Sequence, residues 1–204
     1  MDIFERIVPP EDFPILMEIE ALTNPRIREA IGPIAAVPVA DRVAGPGASY
    51  VMAPFAYPSD SRFSDERQGA YYAAHDLETA IAEVSYHRTI FARTTPPRAL
   101  EFDERVITAR IAGNFEDLRM VPPTDPRYGS GYAPGQAFAR GVRAAGGNGV
   151  VYTSVRRPAG DCVAVFVPRM IRNARTDRFI GLRWDGNAIT DAYTKDSLLG
   201  TYRT

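Results

Sequence analysis

Proline and glycine interrupt the apolar stretches of this sequence before any of them becomes long enough to cross a membrane. The 204 residues include 17 prolines and 16 glycines. The longest uncharged stretches fall short of the roughly 18 apolar residues that a membrane-spanning helix needs. With 45% hydrophobic residues, the chain still has enough apolar surface for one sizeable core. We therefore expect one globular domain rather than a membrane protein or two very small domains.

Charge and reactive side chains argue against several function classes. Lys and Arg total 24 against 25 Asp and Glu, and no run of basic residues stands apart, which disfavours direct nucleic-acid binding. The lone Cys162 cannot form an internal disulfide, and with His75 and His87 it gives no metal-ligand spacing. The N-terminus contains acidic residues and lacks the apolar core of a signal peptide. We expect a cytoplasmic protein that uses no metal and does not bind a membrane.

Residues 1–41 are predicted to form a helical cap or extension, ahead of a main domain over residues 42–204. Within Phe13–Ile31 the apolar residues recur at helical spacing. Pro25 is suited to open a second short helix that ends at Gly32.

Four segments of the main domain have the composition of strands. A turn at Gly45 leads into the first, Ser49–Tyr57, and a short apolar and aromatic run makes the second, Ala70–Ala74. The third and fourth, Gly149–Val155 and Cys162–Pro168, are separated by a loop of hairpin length.

Two segments of the main domain are predicted to be helices. Asp76 is a strong N-cap for a helix from Leu77 to about Arg88. Pro134 suits the first turn of a second helix, which two glycines beginning at Gly146 terminate. Together with the strands, this pattern predicts an α+β fold, with two or three helices packed on mostly short, curved strands.

Three polar residues in this order, Arg62, Glu83 and Ser154, resemble the landmarks of the RES domain, a family named for its Arg, Glu and Ser. Glu83 closes the pattern E-T-A-x-x-E, and Ser154 closes a strand pattern G-x-x-Y-x-S that begins at Gly149. An apolar strand follows, as in the family. The resemblance covers about residues 42 to 170.

The resemblance implies a compact fold distantly similar to that of ADP-ribosylating toxins, and NAD as the substrate. Members of the family consume NAD, some by hydrolysis or phosphorolysis and some by modifying a protein. They are usually encoded beside an antitoxin with a helix-turn-helix domain. We therefore expect the toxin of a bacterial toxin–antitoxin pair, with such an antitoxin as its partner.

Cleavage of the nicotinamide–ribose bond needs an unusual set of catalytic groups. The leaving nitrogen already carries a positive charge, so nicotinamide departs neutral and no general acid is required, unlike in glycoside hydrolysis. One carboxylate that stabilises an oxocarbenium-like ribose is sufficient. From its place beside a helical stripe, Glu83 would be a solvated flanking residue; the resemblance assigns it this catalytic role.

Arginines are the natural anchors for the pyrophosphate of NAD, because a planar guanidinium binds two oxygens at once. The resemblance assigns this contact to Arg62. Arg67 in the same loop and Arg156, two residues after Ser154, are weaker candidates for further phosphate or adenosine contacts.

Two tyrosines on the strand before the Glu83 helix are candidate NAD contacts. Tyr71 and Tyr72 occupy successive strand positions, so one is expected in the core and the other in the site. The family pattern favours Tyr72 as the residue that stacks on nicotinamide, by aromatic stacking and cation–π attraction.

Ser154 is predicted to hydrogen-bond the ribose or to orient Glu83. It is not predicted to be a nucleophile, because neither histidine stands in a triad pattern with it. His87, four residues after Glu83, is interpreted as a stabilising helical pair, with tuning of Glu83 as the alternative.

Two further readings of the function stay open. The same site suits a protein mono-ADP-ribosyltransferase, because the sequence has no acceptor-binding signature that separates transfer from NAD degradation. A non-catalytic antitoxin-binding module is the third reading. The intact set of Arg62, Glu83 and Ser154 argues against it.

Overall fold

The computed structural model describes residues 34, 37–94, 99–129 and 131–195 of the chain. Within these residues the α+β class is confirmed, with three α-helices and two β-sheets. The helices are α1 (Ala48–Ala56), α2 (Leu77–Arg93) and α3 (Ala133–Ala144). In the part of the chain that the structure describes, no helix combines the length and the apolar character needed to cross a membrane.

The seven described strands divide into a four-stranded and a three-stranded sheet. They are β1 (Tyr71–Ala74), β2 (Leu100–Ile111), β3 (Phe115–Asp117), β4 (Gly149–Thr153), β5 (Asp161–Val165), β6 (Ile171–Trp184) and β7 (Ile189–Thr194). The first sheet has the order β1-β5-β4-β3, antiparallel except for the parallel pair β3 and β4. The second sheet is antiparallel, with the order β2-β6-β7.

The four-stranded sheet separates two apolar cores, because side chains alternate between its faces. One core contains Tyr152 and Ala164 from the sheet and Ala139 from α3. The other contains Val165 from the sheet and packs against α1. On β1, the same alternation places Ala74 against the first core and Tyr71 against the second.

The predicted local signals around α2, α3 and the β4–β5 hairpin are confirmed. The Asp76 side chain accepts a hydrogen bond from the backbone N–H of Thr79 (2.8 Å), as an N-cap does. Helix α2 continues to Arg93, about one turn beyond the predicted end. Helix α3 has proline in its first turn and ends before Gly146, which has a positive φ of 77°.

The predicted strand Ser49–Tyr57 is wrong, because this segment forms helix α1. Its buried residues Val51, Met52 and Phe55 lie on one side of a helix rather than alternating. Gly47 starts the helix in the left-handed region at φ 81°, and a Cβ there would lie 2.0 Å from the carbonyl oxygen of Ala174. Only glycine therefore lets α1 begin so close to β6.

The expectation of mostly short strands fails for the second sheet. Strand β2 has 12 residues and β6 has 14, and neither segment was predicted as a strand. The alternation of apolar and charged residues at Leu100–Asp103 was the available signal. It ends there in the sequence, because the next inward position is the charged Glu104.

The predicted helices within residues 1–41 lie largely outside the described residues. The division of the chain into an extension and a main domain stays a prediction.

Candidate functional site

A cavity of about 490 Å³ lies between the first part of α2, strand β1, the loop before β1 and the segment that leads into α3. Its volume is within the range of about 300 to 1,000 Å³ typical of small-molecule sites. Four of the predicted site residues line it: Arg62, Tyr72, Glu83 and Arg156. These residues come from four separate parts of the sequence.

Glu83 is held in this cavity by Ser154, 71 residues later in the chain. The Ser154 hydroxyl donates a hydrogen bond of 2.6 Å to Oε1 of Glu83. The same hydroxyl oxygen accepts the backbone N–H groups of Arg156 and Arg157, each at 3.0 Å. A serine hydroxyl has one proton and two lone pairs, so all of its bonding capacity is used. Ser154 is 6% exposed and directly follows strand β4.

The hairpin loop that carries Ser154 is fixed to the first turn of α2. Arg157 donates to Oγ1 of Thr79 (3.1 Å) and lies 3.5 Å from the carboxylate of the N-cap Asp76. Gly160 packs so closely that a Cβ there would lie 2.5 Å from Oγ1 of Thr79. The loop and the helix therefore form one unit that sets the position of Glu83.

Arg62 projects into the cavity from the loop before β1. Its guanidinium carbon lies 5.7 Å from the ring centroids of both Tyr128 and Tyr152. Its Nε is buried and has no hydrogen-bond partner among the described residues. A buried N–H donor without a partner is costly in a folded protein, and an anionic ligand would satisfy it.

The loop that carries Arg62 is held by side chains from α3. Gln136 donates to the carbonyl of Ser64 at 2.9 Å, and Arg143 donates to that of Gly69 at 2.9 Å. The Arg143 guanidinium stacks on the ring of Phe166 at 3.7 Å, and burial lowers its pKa to about 10. These contacts make α3 the support of the Arg62 loop.

Tyr71 and Tyr72 separate as strand alternation predicts. Tyr72 lines the cavity, and its hydroxyl accepts the backbone N–H of Phe63 at 2.9 Å. Tyr71 packs against the other core and does not line this cavity. Arg67 is exposed and also lies outside the cavity lining. The structure therefore does not support Tyr71 or Arg67 as contacts at this site.

Arg156 and His87 occupy the α2 side of the cavity. The Arg156 guanidinium carbon lies 3.3 Å from the ring centroid of Tyr86, so the two groups are stacked. His87 also lines the cavity. His87 is an exposed residue, and partial desolvation of its ring lowers its pKa below the ordinary value of 6.5. Nearby Arg156 and Arg62 act in the same direction, and Glu83 opposes them. The interaction between Glu83 and His87 is electrostatic, and the hydrogen bond described for the Glu83 carboxylate comes from Ser154.

Sequence analysis missed the aromatic walls of the cavity. Tyr86, Tyr128 and Tyr132 all line it, and none was a candidate. Tyr86 follows Glu83 by three residues, a helical spacing that was an available signal. Tyr128 and Tyr132 lie in the segment before α3, where no periodic pattern predicts their direction.

Comparison with known proteins gives two findings. The family model of the RES domain matches residues 39–185, which extends beyond the 42–170 covered by the sequence resemblance. An uncharacterized protein, y4oC, from Sinorhizobium fredii is 29% identical over 203 residues, covering 95% of this chain and 82% of that protein.

Proposed function

Because this chain belongs to the RES domain family, we propose that it cleaves the nicotinamide–ribose bond of NAD as the toxin of a bacterial toxin–antitoxin pair. The family as a whole is associated with toxin–antitoxin pairs and with an NAD-related role. The cleavage reaction and the partner, a helix-turn-helix antitoxin, are the proposal.

The carboxylate of Glu83 carries this proposal. Among the described residues that line the cavity, Glu83 is the one carboxylate, and Ser154 fixes it at 2.6 Å. Hydrolysis of an ordinary glycoside needs two carboxylates, one of them to protonate the leaving group. The pyridinium nitrogen of NAD needs no such proton, so a single oriented carboxylate is enough to promote cleavage of this bond. Its charge would stabilise the oxocarbenium-like ribose as nicotinamide leaves.

The other lining residues fit the remaining parts of NAD. Arg62, with its buried and unpaired Nε, and Arg156 supply two guanidiniums for a pyrophosphate that carries two negative charges. Tyr72 and Tyr86 offer aromatic surfaces for the flat rings at the two ends of the substrate. Tyr72 is the one proposed to stack on nicotinamide, as the family resemblance implies.

Ser154 acts in this proposal as a positioning residue. Its hydroxyl donates a hydrogen bond to Glu83 and accepts hydrogen bonds from two backbone N–H groups, so it is not poised as a nucleophile. Of the two roles predicted from the sequence, the hydrogen bond favours the orientation of Glu83 over a direct contact with ribose.

The test is Glu83→Gln, which keeps the size of the side chain and removes its charge. We expect NAD turnover to fall about 10²- to 10³-fold while NAD affinity changes little, because the charge acts mainly in the transition state. Nicotinamide release measured by chromatography, together with a melting curve on the same sample, gives both quantities.

Glu116→Gln is the matched control, since Glu116 is exposed on β3 and lies outside the cavity lining. In cells, the wild type should lower NAD and arrest growth, a coexpressed cognate antitoxin should relieve the arrest, and Glu83→Gln should be harmless. A folded Glu83→Gln protein with full turnover would contradict the proposed mechanism. Labelled NAD incubated with cell lysate distinguishes the transferase alternative, which would place the label on protein.

A further inference from the structure

A second cavity of about 460 Å³ adjoins the first. The two share three lining residues, Ser61, Tyr72 and His87, so these side chains stand between them. The second cavity lies between α1, the loop before β1, and the edge strand β1. It therefore meets the first cavity beside His87, one helical turn from Glu83.

The second cavity is unsuited to an anion. Asp60 contributes a carboxylate to its lining, and none of its described lining residues is Arg or Lys. Its other polar side chains are the imidazole of His87 and hydroxyls, including those of Ser59, Ser64 and Tyr71. A phosphate ion entering here would meet a like charge without a cation to bind it. The guanidiniums of the first cavity are those proposed to hold the pyrophosphate of NAD.

His87 is the group that connects the two cavities chemically. It lies one helical turn after Glu83 and lines both cavities. With its pKa lowered from 6.5, the imidazole is neutral at neutral pH and is able to accept a proton. The charged and titratable groups around it come from every element at this junction. They are Glu83 and Tyr86 on α2, Tyr50 on α1, Tyr71 and Tyr72 on β1, Asp60 and Arg62 in the loop before β1, and Arg156 in the hairpin loop.

We infer that the second cavity is the acceptor subsite, and that His87 takes the proton from an uncharged hydroxyl acceptor, water or a small alcohol. This inference rests on the proposed function. As the bond between ribose C1′ and nicotinamide breaks, its electron pair stays with the pyridine nitrogen and neutralises it. The acceptor oxygen forms the new bond to C1′, and its proton passes to the His87 imidazole. The products are neutral nicotinamide and ADP-ribose, or the corresponding alkyl glycoside of ADP-ribose.

The first test is the choice of acceptor by the wild-type protein. Incubation with NAD in buffer that contains both inorganic phosphate and methanol should give ADP-ribose and its methyl glycoside, without ADP-ribose 1-phosphate. Nicotinamide release with the phosphate ester as the main product would overturn this inference alone. Transfer of label to a protein in lysate would also overturn it. No nicotinamide release at all would refute the proposed function, and this inference with it.

The second test is His87→Gln, with His75→Gln as the matched control because His75 is the other histidine of the chain and lines neither cavity. Removal of a general base should lower turnover about 10²-fold. The wild-type rate should fall as pH drops through the His87 pKa, in a limb below pH 6.5, and the variant should lose that limb. A His87→Gln protein with the rate and pH profile of the wild type would overturn the assignment.

The third test fills the second cavity without touching the first. Ser59 is exposed and lines the second cavity only, and its backbone carbonyl, not its side chain, is the partner of Ser64. Ser59→Phe should leave NAD affinity unchanged and reduce the yield of methyl glycoside relative to ADP-ribose at least threefold. An unchanged product ratio would show that the acceptor does not enter through this cavity.

Discussion

Replacing Ser154 by alanine removes three hydrogen bonds at the centre of the site. The hydroxyl donates to Glu83 at 2.6 Å and accepts the backbone N–H groups of Arg156 and Arg157 at 3.0 Å each. Because Ser154 is buried, the groups that lose their partner are not all reached by water. The variant therefore tests whether the position of Glu83 depends on this hydroxyl.

The magnitude follows from these contacts. A hydrogen bond to a charged group contributes about 1.5 to 3 kcal/mol, and a buried N–H left unpaired costs about 1 to 3 kcal/mol. Arg156 is exposed, so part of this cost is recovered by hydration. We expect a loss of about 2 to 4 kcal/mol in unfolding free energy, which lowers the melting temperature of a domain of this size by about 5 to 15 °C. Turnover should fall about 10- to 100-fold, because Glu83 keeps its charge but loses its fixed position.

Melting curves and nicotinamide release, measured below the transition of the variant, separate the two effects. Thr153→Ala is the control, since the neighbouring hydroxyl makes one exposed bond of 3.4 Å to the carbonyl of Arg119. The control should change stability by less than about 1 kcal/mol and leave turnover intact. A folded Ser154→Ala protein that turns over NAD at the wild-type rate would refute the positioning role.

Two further predictions concern the Arg62 loop and the acid stability of the domain. Gly135→Ala places a Cβ 2.3 Å from the carbonyl oxygen of Arg62, so the Arg62 loop must shift. NAD affinity measured by titration should then fall about tenfold or more. Gly141→Ala, in open space on the same helix, is the control and should leave NAD affinity unchanged. Asp125→Asn tests acid stability: hydrogen bonds from Arg127 lower the pKa of Asp125 from 3.8 to about 2. The stabilisation is present above pH 3.8 and is lost as pH falls towards 2. Between these pH values, the melting temperature of the variant should therefore fall less than that of the wild type. An identical decline in both proteins would refute the assignment.

Local sequence signals predicted the elements whose cause is itself local. Asp76 begins α2 through its own side chain, and glycine ends α3, so both were found without tertiary information. The segment that became α1 has no such signal, because its start depends on the approach of Gly47 to Ala174, more than a hundred residues away. Its aromatic and β-branched composition favours a strand when that contact is unknown.

The candidate site shows the same division between local and long-range causes. Alternation along β1 predicted that Tyr71 and Tyr72 would separate, although it could not decide which would face the cavity. Only the family resemblance related Arg62 to Glu83 and Ser154. Their proximity arises from tertiary packing, and no spacing in the sequence encodes it.

The supports of the site explain why these landmarks depend on the whole domain. Glu83 is fixed by a hairpin loop that follows it by 71 residues, and the Arg62 loop is fixed by Gln136 and Arg143 of α3 across more than 70 residues. Local hydrogen bonds shape the Arg62 loop, but both positions depend on contacts from distant segments. A partly folded chain would therefore contain Glu83 and Arg62 but would not hold them in their native positions relative to each other. Since catalysis of this kind depends on preorganised charge, NAD cleavage should be confined to the fully folded domain.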